Sequence, residues 1–113
     1  MTTSPQCRQS VIAVLGVLSS SQKQLAYERD VPSIPVTDEL LSMWFDDTYL
    51  PDSPAFQKSF SAQELLALAD FNKFFDEHIE DLQDKGRVSD WLKIETWQQI
   101  IQRAEKVLAL IAQ

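Results

Sequence analysis

The sequence predicts an all-α fold, a small antiparallel helical bundle. Three long helices and one or two short ones make it up, with an extended proline-containing crossover at 31–36. Three observations predict this. Apolar residues recur at steps of three and four over three long stretches. A helix-start signal precedes each stretch. The one segment that reads as extended has no second strand nearby to pair with. At 113 residues the chain is expected to be one domain with one core.

The first helix starts at Ser4-Pro5, a serine cap followed by a proline at the first helical position. Cys7, Val11, Val14, Leu18 and Leu25 form its seam, and Ile12, Leu15 and Val17 widen the apolar face. The pattern predicts about 22 residues of helix, ending before Pro32 and containing Gly16. In Val31-Pro32-Ser33-Ile34-Pro35-Val36, two prolines forbid helix and favour extended backbone that pins Ile34 or Val36 to the core. Thr37 is expected to cap a short helix whose apolar face is Leu40, Leu41, Trp44 and Phe45. Ser53-Pro54 repeats the cap-plus-proline signal and predicts a helical turn at Ala55–Phe60.

Ser61-Ala62-Gln63-Glu64 is a capping box. The helix it opens is expected to reach about Lys85, with Gly86 as a left-handed C-cap. Leu65, Leu68, Asn72, Phe75, Ile79 and Leu82 make one stripe, and Ala67, Phe71, Phe74 and His78 a second beside it. Ser89 is expected to cap the last helix, with Ile94, Trp97, Ile101, Ala104, Leu108 and Ile111 on its buried seam. The long helices would each span about 33–36 Å.

Composition excludes several function classes. The chain is 44% hydrophobic and 24% charged, so it is not wholly disordered. No apolar run reaches the roughly 20 residues of a membrane span, so no membrane association is expected. The apolar stretch Val11–Leu18 after Arg8 mimics a secretory leader, but it runs on into a polar helical pattern. The single cysteine, Cys7, forms no internal disulfide and fits a reducing, cytoplasmic setting. A net charge of −7 argues against binding nucleic acid.

Catalytic and metal motifs are weak, and neither an enzyme nor a cofactor is expected. His78 is the only histidine, so nucleophile–base chemistry would depend on it alone. The Glu-x-x-His spacing of carboxylate-bridged metal bundles would need Glu at position 75, which is Phe75. Asp70-Phe71-Asn72 opens like a calcium loop, but Phe75 stands where that loop needs glycine. Two glycines, Gly16 and Gly86, cannot build a phosphate-cradling loop. Gly86 lies in a turn of helix-turn-helix type, but the following helix carries few cations near its start.

Charge distribution is the more informative feature. Residues 38–52 hold five acidic side chains and no basic one; residues 70–84 hold six and only Lys73. Together they carry −10, which leaves net +3 on the remainder. An acidic face of this kind raises encounter rates with basic partners. Surface aromatics are favoured interface anchors. The expected partner-binding residues are therefore Trp44, Asp46, Asp47, Tyr49, Phe71, Phe74, Glu77, His78 and Asp81. Asn72, a polar break in an apolar seam, would fix register or oligomeric state if this helix self-associates. The expected function is a non-enzymatic protein-interaction module with a protein partner, either a basic protein or a second copy. An acidic inhibitor or nucleic-acid mimic is one alternative, and a bundle binding a small molecule at His78 is another.

Overall fold

The computed structural model describes residues 4–82 and 86–112, with side chains from Gln6 onward. Among them the fold is all-helical, without strands. The helices are α1 (Ser4–Leu18), α2 (Ser21–Asp30), α3 (Val36–Ser42), α4 (Pro54–Lys58), α5 (Ala62–Glu77), α6 (Val88–Trp91) and α7 (Glu95–Ile111). A π-helical turn at Met43–Thr48 continues α3, and a 3₁₀ turn at Ile79–Asp81 follows α5. No helix among the described residues is long and apolar enough to cross a membrane.

The expected first helix is two helices. Serines 19–21 interrupt it, because serine side chains compete for backbone partners. Ser19 Oγ donates to Gly16 O at 3.3 Å, and Ser20 Oγ caps α2 by accepting from Lys23 N at 3.1 Å. The break changes the register. Before it, Val11, Leu15 and Leu18 are buried; after it, Gln24 faces inward and Leu25 is exposed, contrary to the expected seam.

The 31–36 crossover is not extended. Its prolines do stop the helix, but Val31 N donates to Tyr27 O and Ile34 N to Val31 O, which makes a turn. Val36 reaches the core, while Ile34 is 38% exposed. Thr37 is not the cap of α3, since it lies inside the helix and its buried hydroxyl donates to Gly86 O at 3.3 Å. Ser53 and the Ser61–Glu64 capping box perform as expected. Phe56 N donates to Ser53 Oγ at 3.4 Å, Glu64 N to Ser61 Oγ at 3.1 Å, and Ser61 N to Glu64 Oε1 at 2.8 Å.

α5 stops at Glu77, well short of residue 85. Asp76, Glu77, Glu80 and Asp81 crowd its negative dipole end, which opposes further helix. Gly86 does adopt a left-handed φ of +47°, but in a loop and not at the end of α5. Ser89 caps nothing. The first N–H of α6 is capped instead from α2, where Glu28 Oε2 accepts from Val88 N at 2.9 Å. With 16 and 17 residues, α5 and α7 are each about 25 Å long, not 33–36 Å.

α7 lies against both α1 and α5, while the π-turn and α4 pack on α1. α7 buries Trp97, Ile100, Ile101, Ala104, Val107 and Ile111, with Leu108 only half-buried. All three indole N–H groups find acceptors, as buried tryptophans require. Trp44 Nε1 donates to Asn72 Oδ1 at 3.0 Å, Trp91 Nε1 to Leu82 O at 2.9 Å, and Trp97 Nε1 to Gln24 Oε1 at 3.0 Å. Gln24, fully buried, uses its amide N–H₂ on the Val17 and Leu18 carbonyls across the helix break.

Arg8 ties three distant segments together. Its guanidinium makes a bidentate pair with Glu64 at 2.9 and 2.8 Å and donates to Ser59 O at 3.0 Å and Ile111 O at 2.6 Å. These bonds hold the Glu64 carboxyl down to about 2, against an ordinary 4.5; burial opposes the shift, and the capping bond from Ser61 adds to it.

Candidate interaction surface

The π-turn is the most irregular part of the helical backbone. Tyr49 N bonds Trp44 O at 2.9 Å, a five-residue step in place of the usual four. This wider winding keeps Leu40, Trp44 and Thr48, four residues apart, all on the buried side. It turns Asp46 and Asp47 into solvent. Such turns occur frequently at functional sites.

Trp44 is the core of this turn and not a surface anchor. It is fully buried, stacked on Tyr49 at 5.3 Å and met edge-on by Phe71 at 4.9 Å. Phe71 is buried as well. Both are therefore removed from the expected partner-contacting set: an all-helical core this small draws its large aromatics inward. Asn72, half-buried beside them, accepts the Trp44 N–H within its own chain, so its polarity needs no second copy to explain it.

Tyr49 is half-buried, with Phe56 edge-on at 5.6 Å. Burial pushes its phenol up from 10.0, and the nearby Asp52 carboxylate adds to the shift, so Tyr49 stays a neutral hydroxyl donor. Leu50 follows at 44% exposure. Asp46 and Asp47 are exposed on the turn, and half-buried Tyr49 and exposed Leu50 follow directly after it.

The other expected residues form a second group where α5 meets α7. Phe74 is half-buried beneath Arg103, whose guanidinium carbon lies 3.8 Å from the ring centroid. His78 packs against the same ring, with the ring centroids 4.2 Å apart. Its Nδ1–H donates to Phe74 O at 2.7 Å, which gives a terminal carbonyl of α5 a partner. Glu77 is exposed, 3.9 Å from Lys73. Asp81 is exposed and accepts from Thr96 Oγ1 at 3.2 Å, beside the positive end of α7. Asp84, part of the acidic run, lies outside the described residues.

A cleft of about 340 Å³ opens between Glu28, the 32–36 turn and Arg87. A second, of about 380 Å³, lies along α7. His78 lines neither. Among the described residues no group of three or more His, Cys, Asp or Glu could hold a metal ion. Sequence reasoning missed the roles of Gln24, Glu28 and the Arg8–Glu64 pair. For Gln24 a signal existed, because each buried indole demands an acceptor. For Arg8 and Glu64, 56 residues apart, there was none. No family model matches the chain, and no curated protein or solved structure matches it.

Proposed function

We propose that the chain is a non-enzymatic protein-interaction module of the cytoplasm that presents its π-turn surface to a basic protein partner. One observation carries the reading. The turn winds around the buried Trp44 and holds Asp46 and Asp47 outward beside Tyr49 and Leu50. Two exposed carboxylates followed closely in sequence by an exposed leucine supply charge and an apolar contact. Fixed charges on a wound helical turn also lose little freedom on binding. Net charge of −7 adds long-range attraction for a cationic partner.

The test compares immobilised wild-type chain with the double variant Asp46→Lys, Asp47→Lys in parallel capture from host lysate, eluted by a salt gradient. The expected result is a stoichiometric basic protein on the wild type, released as salt rises and absent from the variant. Equal retention by both, or salt-independent release, would overturn the proposal.

A further inference from the structure

On the outward face of α7, Gln99, Gln102, Arg103 and Lys106 line the cleft of about 380 Å³. Their spacing of three, four and seven residues places them on one stripe of the helix. Each can donate hydrogen bonds; none is a carboxylate. Among the described residues, neither Arg103 nor Lys106 has a carboxylate within 4.0 Å. Lys23, Lys58 and Lys93 likewise lack an ion pair among the described residues, so what sets Arg103 and Lys106 apart is that both lie on one helical stripe beside two amide side chains.

Arg103 is also held in position. It lies over the Phe74 ring, which is itself supported by His78. Stacking occupies the face of a guanidinium and leaves its in-plane N–H groups free for an oxyanion. Glu95 is the acidic member of the stripe, eight residues from Arg103 and so about 12 Å away along the axis. Asp70 and Glu77 flank Phe74 on α5, and Glu77 is within reach of Lys73 instead.

We infer that this face of α7 binds a phosphate-bearing small molecule. Arg103 grips two phosphate oxygens through its fork, Lys106 supplies a second charge, and the two glutamine amides donate from the neighbouring turns. A tetrahedral dianion uses donors from several directions, whereas a planar carboxylate is satisfied by the arginine fork alone. The cleft is open to solvent and bordered by four exposed side chains of one helix, so the phosphate group makes the contacts and the rest of the molecule stays in water. This surface is separate from the π-turn, so either assignment can fail alone.

The test is a nitrogen-15 NMR titration of the full chain with inorganic phosphate and with glycerol phosphate. Sodium chloride and sodium acetate at matched ionic strength are the controls. Saturable shifts are expected at Gln99, Gln102 and the Arg103 side chain, with glycerol phosphate binding at least as tightly as phosphate. Arg103→Lys keeps the charge but loses the fork, and should weaken binding about fivefold or more. Gln102→Glu leaves Arg103 on Phe74 and should abolish saturation. Linear shifts that match chloride, equal affinity for acetate, or a Gln102→Glu variant that binds like wild type would each overturn the assignment.

Discussion

Asn72 and Gln24 carry the same chemistry in different places: each gives a tryptophan N–H an acceptor away from water. Replacing either by leucine leaves a buried donor without a partner, at about 1–3 kcal/mol per orphaned group. Asn72→Leu should lower the urea midpoint without changing the slope. Gln24→Leu should lower it further, because the Val17 and Leu18 carbonyls lose their donor too. An unchanged midpoint in either variant would contradict the assigned bonds. Glu64 makes a prediction in pH. Its folded value of about 2 lies below the unfolded 4.5, so its ionised form stabilises the fold above pH 4.5. That contribution fades as pH falls from 4.5 towards 2. The stability gap between wild type and Glu64→Gln should therefore be constant near neutrality and close across that window. A gap independent of pH would mean that Arg8 does not hold the carboxylate.

Elements were legible where their signals are local. Ser53 and the Ser61–Glu64 capping box act within four residues, and both start helices as their sequence says. The failures came where a tertiary partner replaced a local one. Ser89 and Thr37 are sound caps by type, yet Glu28 from α2 caps α6, and Thr37 spends its hydroxyl on Gly86. The three-and-four periodicity read straight through serines 19–21, because a break that costs one residue of register looks like a gap filled by serine. The cap at Ser20 makes that break testable. Ser20→Ala should cost about 1 kcal/mol in chemical denaturation. No loss would mean that α2 is positioned by Gln24 alone. The π-turn had no sequence signal at all: an extra residue per turn is chosen by how Trp44, Thr48 and Phe71 pack.

At the scale of the molecule, the fold sorts the expected contact residues by position. Trp44 and Phe71 go to the core, Asp46 and Asp47 to solvent, and Phe74 with His78 to the α5–α7 junction. The acidic runs were readable from composition; which carboxylates share a surface was not, because that depends on where the π-turn docks. The proposed surface is electrostatic at its rim and apolar at Leu50, so binding should depend steeply on salt. Charge reversal at exposed positions should leave stability within about 0.5 kcal/mol, so any lost binding is read directly. Whether the π-turn surface is the binding face is decided by the dissociation constant for the captured basic partner. It should be determined for wild type and for Asp46→Lys, Asp47→Lys at low and at high salt. Wild type should bind tightly and lose affinity as salt rises, whereas the variant should bind weakly with little salt dependence. Equal constants and equal salt slopes for the two proteins would contradict that assignment.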